Sequence, residues 1–460
     1  MAEQTVPVAT KKERRIQRFA SLAVRGLYRS VEVHASADTP GGGPVLAVSN
    51  HFGGFADPFL LVSVVPRTPR IVARDKIWKI PIAGSVMRWL RAIPVHKPEE
   101  HKGLTSNDQM FASCYTALEE DSLLLIFPEG VTVDDPSIAH IKTGAARIAL
   151  GARASGVTGI RIVPAGIHYE DKAALRSRVF INIGAPLDLD AGLDQYDGAG
   201  EDESPENRTL VQALTDEIED RLRRVAPDFA DWDEAKTMTS AAEVTLRSRQ
   251  SNPGDEVPAS ARDRLAGALG RAPADVKGSV TEAITTYDQD LDAVGLNDAE
   301  AYDHTTFFGF LWYALWNLAL GLVLLPFAVV GVVINFIPLL VVWAIGLLRV
   351  SPAVKATMKP MAALVLFPLA WGIEAWQLAS RDAGLFVTII AIVLIPLYLA
   401  AAILLSERIV LLWRAWRSWR GNRRLTRVGD KLAAEREAVV DAVTAAVGNE
   451  AGSSGPEAAD

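Results

Sequence analysis

Short apolar runs at 44–49, 70–74, 122–127, 160–165 and 178–183 alternate with helix-like stretches at 58–65, 82–92, 106–120 and 143–154. Alternation of this kind predicts an α/β domain over residues 37–190, a largely parallel sheet flanked by helices. In open sheets of this type ligands gather beyond the carboxyl ends of the strands. His51, Glu129 and Gly166 all follow such ends. Ahead of the domain, Ile16, Phe19, Leu22, Ala23 and Leu27 recur at helical spacing among Lys11, Lys12, Arg14, Arg15, Arg18 and Arg25. This pattern predicts a basic amphipathic helix within residues 1–36, which either lies in a membrane interface or caps the domain.

The second half changes character. Residues 191–304 read as an acidic helical extension or linker, broken at Pro227, Pro253, Pro258 and Pro273, with loops at 197–206 and 250–257. Residues 305–406 are dominated by Leu, Val, Ile, Ala and Trp and predict a membrane region of about four helices. The stretch 307–348 far exceeds the roughly 20 residues needed to cross a bilayer, so it holds two helices. Their turn falls at Pro326 or at 335–338, and the pair either crosses twice or forms a re-entrant hairpin. Further spans are expected near 360–379 and 385–405, giving four crossings. Arg349, Lys355 and Lys359, and the arginines from Arg408 to Arg427, then share the cytosolic face by the positive-inside rule. Glu374 lies near a span end, where its carboxylate reaches the interface. Residues 407–460 read as a basic juxtamembrane helix and a flexible acidic tail, and Trp413, Trp416 and Trp419 among the arginines suit an anionic lipid surface.

Composition narrows the possible functions. A chain of 460 residues supports two or three structural units. Its net charge of -8 argues against a nucleic-acid partner. Cys114 is the sole cysteine, which rules out an internal disulfide and fits a reducing compartment. The start of the chain lacks the apolar core of a secretory signal, so the first domain is expected in the cytoplasm, anchored by an integral membrane region. His34, His101, His140, His168 and His304 show no metal-pair spacing, and no metal site is expected. No Gly-rich phosphate loop lies between a strand and a helix, so no nucleotide cofactor is expected.

The candidate chemistry sits in four ordered motifs: Asn50-His51 with Asp57-Pro58; Ile93-Pro94-Val95-His96-Lys97; Phe127-Pro128-Glu129-Gly130; and Ile162-Val163-Pro164-Ala165-Gly166. A histidine at a strand end with a carboxylate a few residues on provides a general base and its orienting partner. The order of the motifs over residues 44–186 resembles the glycerol-phosphate and lysophosphatidate acyltransferase superfamily. Five residues, Phe52 to Ala56, separate His51 from Asp57, against four in most of the superfamily. That spacing is similar to the fungal-type glycerol-3-phosphate and dihydroxyacetone-phosphate acyltransferases, as are Lys142-Thr143-Gly144-Ala145-Ala146 and His168-Tyr169 followed by Arg176-Ser177-Arg178.

The resemblance implies direct acyl transfer without an acyl-enzyme. His51 would accept the proton of an attacking hydroxyl, and Asp57 would fix its tautomer and stabilise its charge. Backbone amides at Gly53-Gly54 or at Glu129-Gly130 would stabilise the oxyanion. Lys97 stands where the family usually has arginine, and with Glu129, Gly130, Arg176 and Arg178 it is expected to bind the acceptor. His96, His140 and Lys142 are secondary candidates. The expectation is a membrane-bound O-acyltransferase that takes an acyl group from a coenzyme A or carrier-protein thioester to glycerol-3-phosphate, with no other cofactor and with the bilayer as partner. Lysophosphatidate or another lysophospholipid is the alternative acceptor. A non-catalytic membrane scaffold and a thioester hydrolase are the rivals, and oligomeric state is not legible.

Overall fold

The computed structural model describes residues 10–79, 81–95, 107–132, 134–196, 203–252, 254–302, 306–381, 384–422 and 429–453. Among them the chain forms two compact units, one ending at Trp232 and including Ser351–Thr357, the other Asp233–Val350 and Met358–Asp460.

The first unit is the α/β domain. Its strands are β1 (Ser30–Ala35), β2 (Val45–Ser49), β3 (Arg70–Arg74), β4 (Ile93–Val95), β5 (Leu123–Ile126), β6 (Arg161–Tyr169), β7 (Arg178–Ile183) and β8 (Leu187–Asp188). They form one sheet in the order β1-β7-β6-β2-β5-β3-β4, with β8 also on β6. Only the β6–β7 and β6–β8 pairings are antiparallel. β2 and β5 lie at the centre and are nearly all apolar because both their faces are covered. The edge strand β1, Ser-Val-Glu-Val-His-Ala, has no such run, which is why the apolar pattern does not mark it.

Helices α2 (Ala56–Val64), α3 (Pro81–Trp89), α4 (Asp108–Glu119) and α5 (Gly144–Ala154) connect the strands, and α6 (Leu189–Gly192) follows β8. α1 (Lys11–Leu27) opens with a capping box: Glu13 N–H donates to Thr10 Oγ1 while Thr10 N–H donates to Glu13 Oε2. Its Ile16, Ala20, Ala23, Val24 and Leu27 are buried, so α1 caps the domain, while Phe19 and Leu22 remain exposed.

α7 (Arg208–Val225) belongs to the same core. Leu210, Leu214, Ile218 and Leu222, at helical spacing, are fully or almost fully buried in one cluster with Leu46, Leu124 and Ile162 of the sheet. The compact unit therefore runs past residue 190, and this part of the acidic segment is a structural layer rather than a linker.

The second unit is helical: α8 (Trp232–Ser248), α9 (Ala259–Arg271), α10 (Ala274–Val294), α11 (Asp298–Tyr302), α12 (Phe307–Ile334), α13 (Phe336–Leu347), most of α14 (Pro352–Ser380), α15 (Gly384–Asn422) and α16 (Gly429–Ser453). Asp298 ties its polar part together. It accepts from Tyr287 Oη at 2.7 Å and pairs with Arg436 at 2.8 Å and Arg247 at 3.0 Å.

α12, α14 and α15 are each long and apolar enough to cross a membrane. α13 has 12 residues, about 18 Å at 1.5 Å per residue, and is too short for a hydrocarbon layer of about 30 Å. The region thus holds four helices but three of spanning length. The break between α12 and α13 falls at Asn335, and Pro326 sits inside α12. Gly331 lies against the backbone of Tyr398, a close approach of α12 and α15 that a side chain would prevent. Of the basic cluster after the last span, Arg417 pairs with Glu300 at 3.1 Å and Trp419 stacks on Phe310 with ring centres 5.4 Å apart. This part of the cluster is packed against protein; residues 423–428 lie outside the described ones.

Candidate active site

The register of the sheet assembles the site. Val48 pairs with Ile126, so three residues further on His51 comes level with Glu129. The two meet through the backbone: His51 N–H donates to Glu129 Oε1 at 2.9 Å. Glu129 Oε2 accepts from Ala139 N–H at 3.0 Å, which fastens the loop before α5 to the same carboxylate. Glu129 is buried, and burial raises its pKa above the usual carboxylate range against the lowering effect of these two N–H donors.

Asn50 continues the β2–β6 pairing with its side chain. Its Nδ2 donates to Ile167 O at 3.0 Å and its Oδ1 accepts from Ile167 N–H at 2.7 Å. The chain then turns into a short glycine loop, and the first turn of α2 brings Asp57 back beneath the imidazole. His51 Nδ1 lies 2.8 Å from Asp57 Oδ2. An ionised carboxylate can only accept, so beside Asp57 the proton belongs on Nδ1 and Nε2 is left as the basic nitrogen. Phe127 stacks under the His51 ring at 4.3 Å and fixes its plane. The imidazole side chain is 22% exposed whereas Asp57 is completely withdrawn from solvent. A base that meets solvent on one side and a buried acid on the other is what proton abstraction from an incoming hydroxyl requires.

Gly53 is needed where it stands. Its N–H donates to both Asp57 oxygens, at 3.0 and 3.1 Å, and a Cβ there would collide with the Tyr169 hydroxyl and with Asp57. Gly130 adopts a positive φ of 67°, and the Lys142 ammonium lies 2.7 Å from where its Cβ would be. The N–H groups of Gly53 and Gly130 are already engaged, the latter donating to Phe127 O at 3.1 Å, so neither of these two amides is an open oxyanion donor.

The other expected binding residues are placed as follows. Lys97 and His96 lie outside the described residues. Arg176 does not project to the histidine: its Nη1 donates to the carbonyls of Arg25 and Tyr28 at 2.8 and 2.9 Å, and its own N–H donates to Leu27 O. Arg178 pairs with Glu170 at 3.0 Å and is itself buried. Arg176 thus holds the end of α1 and Arg178 the carboxylate of Glu170; their expected place on the acceptor remains a proposal. His140 faces Glu219 at 3.2 Å and is largely exposed.

Tyr169 was marked by sequence only as a resemblance, yet its hydroxyl donates to Asp57 Oδ1. The signal that finds it is strand length. β6 pairs with β2 only through Ala165 and runs four residues beyond, carrying Tyr169 over the loop. No group of three or more His, Cys, Asp or Glu that could hold a metal occurs among the described residues.

The family model "Acyltransferase" matches residues 30–168. Residues of this chain are 33% identical over 136 positions to glycerol-3-phosphate O-acyltransferase 2 of Saccharomyces cerevisiae, covering 29% of this chain and 18% of the relative. Glycerol-3-phosphate O-acyltransferase 1 of the same yeast is 30% identical over 118 residues, 25% of this chain and 15% of the relative. The chain therefore matches less than a fifth of the length of either relative. A solved structure, the 1-acyl-sn-glycerophosphate acyltransferase PlsC from Thermotoga maritima, aligns with a TM-score of 0.35 at 20% identity, over 46% of this chain and 77% of that one. Over residues 30–168 the chain thus carries a domain that matches the Acyltransferase family model and is similar to the yeast glycerol-3-phosphate O-acyltransferases.

Proposed function

We propose that the protein is a membrane-bound O-acyltransferase that moves a fatty acyl group from an acyl thioester to glycerol-3-phosphate, with its catalytic domain on the cytoplasmic face. The observation that carries this reading is the 2.8 Å contact of a part-exposed His51 with a fully buried Asp57 at the carboxyl end of β2. The yeast relatives named for glycerol-3-phosphate support the choice of acceptor, and the three long apolar helices support the membrane.

In this reading the acceptor hydroxyl gives its proton to His51 Nε2 as its oxygen attacks the thioester carbonyl. Asp57 holds the Nδ1 proton and stabilises the imidazolium. As the tetrahedral intermediate collapses, the carbon–sulfur bond breaks, and the proton on Nε2 passes to the departing thiolate. The balance is one ester and one thiol from one alcohol and one thioester, with no further cofactor. Lys142, beside Gly130, and Lys97 supply cations for the acceptor phosphate. A lysine meets a phosphate as a point charge rather than as a bidentate fork.

Purified full-length protein given labelled acyl-CoA with and without glycerol-3-phosphate tests the proposal. Acceptor-dependent labelling of lysophosphatidate is expected, abolished by His51→Ala with the fold retained. Turnover of lysophosphatidate alone would reassign the acceptor. Release of free fatty acid without acceptor would make the protein a hydrolase.

A further inference from the structure

Asp57 is held from a side that the His–Asp motif does not announce. The Tyr169 hydroxyl donates to Asp57 Oδ1, and the Tyr28 side chain is hydrogen-bonded in turn to Tyr169. A phenol has one proton, and an ionised carboxylate only accepts. The Tyr169 proton therefore points at Asp57. The two rings lie 6.0 Å apart at 48°. Tyr28 is buried at the end of α1, and its carbonyl is gripped by Arg176 Nη1 at 2.9 Å. Arg176 does so from a strained backbone, φ 63°, at a position where glycine would be relaxed.

We infer that Tyr169, backed by Tyr28 and Arg176, is a positioning residue for the reaction, fixing the Asp57 carboxylate so that Oδ2 alone faces His51. The inference rests on the acyltransferase reading above. With Gly53 N–H on both oxygens and Tyr169 on Oδ1, the carboxylate has no freedom to rotate and present a different oxygen to the imidazole. Burial and the charge of Asp57 both raise the Tyr169 pKa well above its ordinary value. The phenol consequently keeps its proton and remains a donor throughout the working pH range. The charged and titratable groups beside this chain include Asp57 itself, His51, Glu129 and, at the Tyr28 carbonyl, Arg176. The device also gives α1 a catalytic consequence, since its last residues deliver Tyr28.

The test uses full-length protein and four variants: His51→Ala, Tyr169→Phe, Tyr28→Phe and the double phenylalanine variant. Steady-state kcat and KM for acyl-CoA and glycerol-3-phosphate are measured beside the melting temperature. Tyr169→Phe removes one hydrogen bond to a buried charge and is expected to lower kcat about tenfold or more, with both KM values within about twofold of wild type. Tyr28→Phe should lower kcat less and should add nothing once Tyr169 is already Phe. Should Tyr169→Phe fold poorly, Tyr28→Phe and Arg176→Ala carry the test, both giving a kcat loss at unchanged KM. Multiplying losses in the double variant, a rise in KM at constant kcat, or a kcat equal to wild type would overturn the positioning role. Activity that survives His51→Ala would instead sink the acyltransferase reading, so the two failures are distinct.

Discussion

Asp57 and Glu129 are both carboxylates at 0–2% exposure, yet they are held in different ways. Asp57 faces a side chain that gains charge in the proposed reaction, whereas Glu129 faces two backbone amides and braces the loops. Asp57→Asn removes the charge that stabilises the imidazolium and scrambles the tautomer. It is expected to lower kcat about a thousandfold or more, with acyl-thioester binding retained, as single-turnover measurements would show. For Glu129 the raised pKa gives a stability signature. Between the ordinary carboxylate value and the raised one, the folded protein holds a proton that the unfolded chain releases. Stability from this group is thus complete below the ordinary value and declines as pH rises through the raised one. Subtracting the melting-temperature profile of Glu129→Gln from that of wild type should leave a component that falls with rising pH; a component that rises would contradict it. His51, Asp57 and Glu129 are legible in sequence because each directly follows an apolar strand or a short glycine loop. The carbonyl partners of Arg176 are not legible, because composition cannot distinguish a guanidinium aimed at a phosphate from one that caps carbonyls.

At the scale of elements, the apolar pattern locates the central strands well because both their faces are buried. It fails at β1, β4 and β8, which are edge or very short strands whose pairing is set by neighbours rather than by their own hydrophobicity. α7 falls in a segment that reads as helical, but its place in the core of the α/β unit is not marked. Its charged face gives the segment an acidic linker-like composition, while its narrow apolar stripe carries the packing. Leu214 is fully buried in that stripe, so Leu214→Ala should cost about 2–5 kcal/mol of unfolding free energy, measured by denaturant titration. A true linker would lose almost nothing. α4 offers a second check. Cys114 lies fully buried against Met110, and burial pushes its thiol up to about 12. Thiol reagents should therefore leave the folded protein unlabelled and modify it stoichiometrically on unfolding. Fast labelling of the native state would show that α4 opens.

On the scale of the whole molecule, the helix lengths and the buried polar groups of the apolar region bear on its path through a membrane. Ser351–Thr357 packs within the α/β unit: Ala353 N–H donates to Asp134 Oδ1 at 2.7 Å, and Asp134 also holds Lys172 at 2.9 Å. Of the helices in the apolar region, α12, α14 and α15 have spanning length, while α13 is too short to cross alone. The junction of α12 and α13 at Asn335 is suited to the hydrocarbon interior because its polar side chain is buried and finds partners within the protein. Its Nδ2 donates to Gly331 O at 2.9 Å and its Oδ1 accepts from Trp371 Nε1 at 2.8 Å. Irregular backbone is tolerated at membrane depth only with such internal partners. We propose on this basis a re-entrant hairpin at α12–α13 followed by two crossings, α14 and α15, as against the four crossings that hydropathy predicts. Single cysteines placed by Phe336→Cys, Arg349→Cys and Arg381→Cys in a Cys114→Ala background would test it in sealed vesicles with a membrane-impermeant thiol reagent. Position 349 should react from the catalytic face and 381 from the other, while 336 should resist from both. Reaction of 336 together with 381 would restore the fourth crossing and make α13 a full span.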